Sequence, residues 1–79
     1  MEGFIISDKV RKAIFLEIAS GENSITRIAK KNRIIESVAK NALKELIEKG
    51  IIEEKNGEYK LSEEGAKLYG RLKGKNLIE

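Results

Sequence analysis

Hydrogen-bonding side chains recur at steps of three and four residues in the middle of the chain. They are Ser37, Lys40, Asn41 and Lys44, and the acidic Glu48 follows one turn later. In a helix, this spacing places the side chains together on one face. Hydroxyl, amide and ammonium groups donate hydrogen bonds, and the lysines also carry positive charge. We interpret this face as a binding surface for a polyanion.

The same segment is apolar on its other side, which predicts a helix over residues 34–49. The apolar positions with helical spacing are Ala39, Ala42, Leu43, Leu46 and Ile47. These side chains are expected to pack into the core. Gly50 follows, and glycine is common just after a helix because it adopts a positive φ at little cost. We expect a strand to begin directly after it.

Two further helices are predicted before this one. Ser7 is a suitable N-cap for a helix over residues 8–20, and Asp8 in its first turn would interact favourably with the helix dipole. Gly21 is expected to end this helix. Ser24 is then the N-cap of a second helix, over residues 24–31.

The connection between the second and third predicted helices is short. Four residues separate the apolar Ala29 and Ile34, which is typical of the tight turn in a helix-turn-helix. One of the four is Asn32. Asparagine tolerates a left-handed backbone and also caps helices, so either role is open to it here.

A β-hairpin is predicted over residues 51–61, because Asn56-Gly57 stands between two short β-prone runs. Ser62 then caps a fourth helix, over residues 63–73. The predicted fold class is therefore α+β, with a three-helix core, a two-stranded hairpin and a C-terminal helix. At 79 residues, the chain fits a single domain over residues 1–79.

The composition excludes several kinds of site. The chain has no cysteine and no histidine, so we expect no metal, no cofactor and no disulfide. The serines, lysines and carboxylates form no pattern of nucleophile and base, so we expect no enzymatic activity. No apolar run approaches the roughly 20 residues of a membrane span, and we expect a cytoplasmic protein. The abundance of lysine and glutamate resembles that of hyperthermophile proteins.

Charge is unevenly distributed along the chain, although the net charge is only +3. Residues 24–50 carry seven basic and three acidic side chains, a net charge of +4. Residues 51–65 carry two basic and five acidic side chains, a net charge of −3. A nucleic-acid partner would therefore be attracted to the central helices and to the basic C-terminal segment. Solvation of exposed helical faces is the simpler explanation of the same asymmetry.

Three segments form a combination found in known regulators. They are SDKVRKAI at residues 7–14, LKELIEKGII at residues 43–52 and YKLSEEG at residues 59–65. Together they resemble the winged helix-turn-helix of the MarR (multiple-antibiotic-resistance regulator) and ArsR (arsenic repressor) families. The similarity extends over about residues 7–70. It implies a transcriptional regulator that places helix 34–49 in the major groove of double-stranded DNA, with the hairpin as the wing.

The sequence departs from the pattern of these families at the turn. Arg33 stands where glycine is usual, Asn32 where an apolar residue is usual, and Ile35 where a serine or threonine cap is common. These departures leave open a second start for the recognition helix, earlier than residue 34, at Asn32, which would place Arg33 in its first turn near a phosphate. The hairpin also departs, because its three glutamates outnumber its two lysines, which is unfavourable for minor-groove contacts.

The resemblance predicts three sets of contacts with duplex DNA. Base readout is expected from Ser37, Lys40, Asn41 and Lys44, because asparagine pairs with adenine and lysine reaches guanine acceptors. Phosphate contacts are expected from Arg27, Lys30, Lys31 and Arg33. Wing contacts are expected from Lys55, Asn56, Gly57 and Lys60. The alternative function is a winged-helix protein-interaction module in a larger intracellular assembly, which the acidic hairpin favours.

Apolar residues at both ends of the chain predict a homodimer. The expected interface consists of Phe4, Ile5, Leu68, Tyr69 and Leu72. Three helices already supply a core, so little would remain to bury these side chains in one chain. A dimer would present two recognition helices roughly 34–36 Å apart to a pseudo-palindromic site. The alternative is that the fourth helix folds back onto the first predicted helix of its own chain.

Overall fold

Five helices and one two-stranded antiparallel hairpin make up the part of the chain that the computed structural model describes, residues 1–78. The helices are α1 (Glu2–Ile6), α2 (Lys9–Ala19), α3 (Ile25–Lys31), α4 (Glu36–Glu48) and α5 (Glu63–Gly74). The strands are β1 (Ile52–Lys55) and β2 (Glu58–Leu61). The predicted α+β class, the hairpin and the four longer helices are confirmed.

Side-chain caps fix where several helices begin. Ser24 Oγ accepts a hydrogen bond from the backbone N of Arg27 at 3.3 Å, as predicted. Ser62 caps α5 in the same way, by accepting from the backbone N of Gly65 at 3.0 Å. At α2 the prediction of Ser7 is wrong, because Asp8 is the N-cap and accepts from two backbone N–H groups.

Ser7 instead ends a helix that the sequence analysis did not predict. Residues 2–6 form α1, in which Ile5 is completely buried. The helix is held against α2 by Arg11, whose guanidinium lies 4.0 Å from the centroid of the Phe4 ring and donates to the Phe4 carbonyl at 3.2 Å. A run of three apolar residues is too short to identify such a helix without these tertiary contacts.

The turn between α3 and α4 differs from the prediction. Asn32 neither takes a left-handed backbone nor starts α4, because it ends α3 with φ −97°. Its Nδ2 donates to the carbonyl of Ile28 at 2.8 Å and to Glu17 Oε2 at 3.1 Å. Arg33 takes the positive φ instead, at 56°, which costs a non-glycine residue about 1–2 kcal/mol. Helix α4 therefore begins at Glu36, later than either predicted start.

The hairpin and its flanking turns follow the prediction. Asn56 and Gly57 both have positive φ, 55° and 80°, which is the type I′ geometry that suits a two-residue hairpin. The strands pair antiparallel, with Ile52 opposite Leu61. Gly50, just after α4, has φ 75° and so allows the chain to turn from the helix into β1.

All five helices and β1 contribute to a single apolar core. Its fully buried large side chains are Ile5, Ile14, Phe15, Ile28, Leu46, Ile51, Ile52, Leu68 and Leu72. Three of the residues assigned to a dimer interface are therefore in the core of one chain, and this assignment is wrong for Ile5, Leu68 and Leu72. The fourth predicted helix does fold back onto the first one within this chain, since the rings of Phe15 in α2 and Tyr69 in α5 lie 6.0 Å apart.

The ends of the chain are fastened to each other. Lys75 Nζ lies 2.8 Å from Glu2 Oε1, and Arg71 Nε lies 3.5 Å from Glu2 Oε2. The hydrogen bond from Lys75 is the largest cause of a lowered pKa of Glu2. Near the C-terminus, Ile78 is buried in the core. Ile5 and Ile78 are thus buried within one chain, whereas Ile6 and Leu77 remain exposed.

Helix α5 lies against the backbone at the start of the wing. A Cβ added to Gly65 would lie 2.0 Å from the carbonyl oxygen of Ile51. Nearby, the backbone N of Ser62 donates to the same oxygen at 2.9 Å, and its hydroxyl donates to the Gly50 carbonyl. Glycine is therefore required at position 65 by the close approach of two backbones.

Replacing Gly65 by alanine should destabilise the protein, because the new methyl group cannot fit without moving α5. We expect the free energy of unfolding to fall by about 1–3 kcal/mol, with a loss of roughly 4–8 °C in Tm for each kcal/mol. Gly70→Ala in the same helix is the matched control, since nothing lies within 4 Å of its added Cβ. This control should gain roughly 0.5–1 kcal/mol. A Gly65→Ala protein as stable as wild type in thermal unfolding would contradict the close packing.

Candidate nucleic-acid interface

The polar line predicted on the third helix is exposed along the outer face of α4. Ser37, Lys40, Asn41 and Lys44 are all exposed, whereas Ala39, Ala42, Leu43 and Leu46 on the other side of the helix are buried. The structure thus brings the four predicted base-reading residues together on one surface. Their role in reading bases stays a prediction.

Two side-chain contacts hold α4 from either side. On one side, Arg11 Nε of α2 donates to Glu45 Oε1 at 3.1 Å. On the other side, Thr26 Oγ1 of α3 donates to Glu36 Oε2 at 3.3 Å. Because the inner face of α4 is also packed in the core, its outer face has a fixed orientation relative to α2 and α3.

Lys40 forms an ion pair within the protein. Its Nζ lies 3.0 Å from Glu36 Oε2, one turn earlier in α4. Glu36 was not among the predicted site residues, although the four-residue spacing between Glu36 and Lys40 is a recognisable signal for such a pair. Glu36 places a carboxylate beside the polar line, and that carboxylate would repel a phosphate or a base acceptor unless Lys40 stays beside it.

The residues predicted to contact phosphates fall into two groups. Arg27 and Lys31 are paired, with Arg27 Nε 3.8 Å from Glu22 Oε1 and Lys31 Nζ 3.1 Å from Glu17 Oε1. Lys30 and Arg33 are exposed and form no ion pair within residues 1–78. The two groups could not be distinguished from the sequence, because the ion pairs join α3 to α2 and to the loop between α2 and α3.

The wing residues are exposed at the end of the hairpin. Lys55 ends β1, Asn56 and Gly57 form the turn, and Lys60 lies in β2. Lys60 Nζ lies 3.7 Å from Glu53 Oε1 across the two strands. Lys55 therefore remains the one lysine of the hairpin without an ion pair among the described residues.

An apolar groove lies between α4 and the wing. Ile25, Leu43, Ile47 and Tyr59 line it, and its volume is about 430 Å³. The polar residues that also line it are Lys40, Lys44 and Glu48. Because the groove combines side chains from α3, α4 and β2, periodicity within one helix could not reveal it.

Two apolar side chains on α4 and its N-cap are also exposed. Ile35, the N-cap residue, exposes 72% of its surface, and Val38 exposes 44%. Neither was predicted as a functional residue. The signal that could have found them is their position, since both precede Asn41 by steps of three residues.

Within residues 1–78, no cluster of three or more carboxylates is arranged to hold a metal ion. None of the described helices combines the length and the apolar composition that crossing a membrane requires.

Comparison with known proteins gave one match. A family model described as winged helix-turn-helix matches residues 7–79. No curated protein and no solved structure matches the chain. In this arrangement α3 and α4 are the helix-turn-helix, and the hairpin of β1 and β2 is the wing.

The Glu36–Lys40 contact predicts a measurable pKa shift. The hydrogen bond from Lys40 is the largest cause of a lowered Glu36 pKa, the charge of the same ammonium adds to it, and the Thr26 hydroxyl contributes less. In an NMR titration, Lys40→Met should raise the Glu36 pKa more than Thr26→Val does. Because the folded-state pKa is lowered, any stabilisation is present above the unfolded-state pKa and is lost as the pH falls through the folded-state pKa. An unchanged Glu36 pKa in Lys40→Met would contradict the contact.

Proposed function

The chain belongs to the winged helix-turn-helix family, whose model covers residues 7–79, and on this premise we propose that it is a sequence-reading regulator of transcription. Membership of the family indicates DNA binding in general. The proposal adds that α4 enters the major groove of duplex DNA and that its outer face reads base edges. A binding role fits the chain better than a catalytic one, because among residues 1–78 no serine hydroxyl is hydrogen-bonded to a carboxylate that could act as its base.

The observation that carries the proposal is the division of α4 into a buried and an exposed polar face. Asn41 and Lys44 are exposed on that face. Neither forms a side-chain hydrogen bond or an ion pair within residues 1–78. A side-chain amide can bond adenine at N6 and N7, and an ammonium can donate to guanine O6 or N7. These two residues are therefore available for base edges without losing a contact in the protein.

Electrostatic attraction would supply most of the affinity. Residues 24–50 have a net charge of +4, and neutralising phosphates releases counterions. Lys30 and Arg33 are available for phosphates at once. Arg27 and Lys31 would first exchange their carboxylate partners for phosphates, a small cost because exposed ion pairs are worth about 0–1 kcal/mol.

The wing would contribute less than the helix. Glu54 and Glu58 are exposed, and Glu53 is paired with Lys60. Negative charge on the strands disfavours close approach to a phosphate backbone. Contacts from the wing are therefore proposed only for its tip, at Lys55, Asn56 and Gly57.

Kinship with MarR- and ArsR-type regulators rests on the sequence resemblance, and a homodimer rests on the apolar residues at both ends of the chain. Of the five residues assigned to its interface, only Phe4 and Tyr69 keep partial exposure. Both pack against the core of their own chain. If the protein binds a pseudo-palindromic site as a pair, the contact between copies must use other residues.

A protein-interaction module is the second candidate function. The specific observation in its favour is the apolar groove between α4 and β2, together with the acidic strands of the wing. Exposed apolar grooves are common sites for partner side chains. This candidate predicts no affinity for duplex DNA, so one titration separates the two.

Fluorescence anisotropy with labelled duplexes at two salt concentrations tests the DNA-binding proposal. Lys44→Ala should weaken binding to all duplexes and lower the slope of log affinity against log salt by about 0.9, if the lysine replaces one counterion. Asn41→Ala should instead relax the preference at one base pair by roughly 1–3 kcal/mol. Lys67→Ala on α5 is the matched control, because it removes the same charge from an exposed site outside α4.

The control variant should bind nearly as tightly as wild type. Equal losses in Lys44→Ala and Lys67→Ala would mean that only the net charge matters, and α4 would not enter the groove. Absence of any binding to duplex DNA at low salt would favour the protein-interaction module.

A further inference from the structure

Ile35 and Val38 expose apolar surface where α4 begins. Ile35 is 72% exposed and Val38 is 44% exposed. The neighbouring Ile34 packs against the core, so the chain directs one isoleucine inward and the next outward. Contact with water does not favour apolar side chains at positions 35 and 38, because a polar side chain would be better solvated at either position.

Ile35 also occupies a position where another residue would stabilise the helix. It is the N-cap of α4 and makes no side-chain capping hydrogen bond. The other helices of eight residues or more, α2 and α5, have Asp8 and Ser62 as side-chain caps. Isoleucine at position 35 therefore provides no side-chain cap for α4 and also exposes apolar surface. Such local conflicts are expected where a residue serves a ligand rather than the fold.

The two side chains form a row with Asn41. Residues three apart are neighbours on a helix surface, so Ile35, Val38 and Asn41 follow one another along one edge of the exposed face. In helix-turn-helix proteins the N-terminal residues of the recognition helix are the ones that contact base edges. Ile35 and Val38 are at that end of α4.

We propose that Ile35 and Val38 read the C5-methyl groups of thymines, so that the preferred site places A·T pairs at the start of α4. The inference rests on the proposed function, since it specifies which bases the same face selects. In the major groove an A·T pair shows an adenine N6/N7 edge and a thymine methyl group. Asn41 is suited to the first feature, and the branched apolar side chains beside it are suited to the second.

The row selects for thymine over cytosine by two effects. A methyl group in contact with Val38 or Ile35 is removed from water together with their own exposed methyl groups. Cytosine lacks this methyl group and presents an amino group instead. Contact with an apolar side chain would leave this hydrogen-bond donor without an acceptor.

Deoxyuridine substitution isolates the methyl group, because uracil keeps every hydrogen-bonding atom of thymine. Duplexes that wild-type protein enriches from a random pool would be resynthesised with each thymine replaced in turn. At one or two positions uracil should lower the affinity about fourfold, the effect of burying one methyl-sized group. Affinity would be measured by fluorescence anisotropy at constant salt.

Variants then assign these positions to side chains. Ile35→Ser and Val38→Ser should each bind duplexes with thymine and with uracil equally tightly, at the position that the replaced side chain reads. Ile35→Ser should fold at least as well as wild type, because serine is a good N-cap. Leu77→Ser is the matched control, since Leu77 is also exposed, at 42%, but lies outside α4. It should keep the wild-type preference for thymine.

The outcomes separate this inference from the proposed function. If wild-type protein binds no duplex, the proposed function fails and the inference fails with it. If it binds duplexes but treats uracil and thymine alike at every position, the inference alone is overturned. Preference for thymine that survives in both serine variants would also overturn it. The inference is supported if the variants lose the preference for thymine and the Tm of Ile35→Ser is equal to or higher than that of wild type.

Discussion

Burial of one face of α4 is the constraint on which the rest of the structure depends. The chain is too small for a second core, so the helix that offers a surface to a partner also holds the domain together. Leu46 is fully buried, and the small side chains of Ala39 and Ala42 let neighbouring elements approach closely. Helices α2 and α3 and strand β1 all pack against this helix. The exposed face is therefore positioned by the core itself rather than by a loop.

Contacts at the surface refine this position and set its electrostatics. Thr26 and Arg11 fasten α4 to the two helices before it through Glu36 and Glu45. Carboxylates also hold Lys40, Lys31 and Arg27 before any ligand arrives. Three of the six basic residues between Ile25 and Glu48 are thus held by ion pairs while the protein is unbound. Because exposed pairs are weak, phosphates can replace the carboxylates beside Lys31 and Arg27 at little cost, and strong salt dependence is expected.

Local sequence signals predicted the parts of the fold that depend on local chemistry. The turns at Gly50 and at Asn56-Gly57 need positive φ, and the sequence identified both. Ser24 and Ser62 were correctly identified as caps. The polar line of α4 followed from periodicity alone, because the opposite face is uniformly apolar.

Features that depend on tertiary contacts could not be predicted in this way. The start of α4 was placed too early, because Arg33 rather than Asn32 adopts the left-handed backbone. The dimer assignment failed for Leu68 and Leu72 because α1 and the C-terminal residues, absent from the predicted core, enlarge it. The exposure of Ile35 likewise depends on the true beginning of the helix, and the groove beside Tyr59 depends on three separate elements.

The central claim is that α4 presents its outer face to duplex DNA. NMR chemical-shift mapping of isotope-labelled protein, titrated with a short duplex, tests it most directly. The account predicts that the largest amide shifts fall between Ile35 and Lys44, with smaller ones at Lys30, Arg33 and the tip of the wing, and that α1 and α5 change little. The claim would be contradicted by amide shifts concentrated on α1 and α5. It would also be contradicted if no amide shifts appeared at a duplex concentration that saturates binding in the fluorescence anisotropy titration.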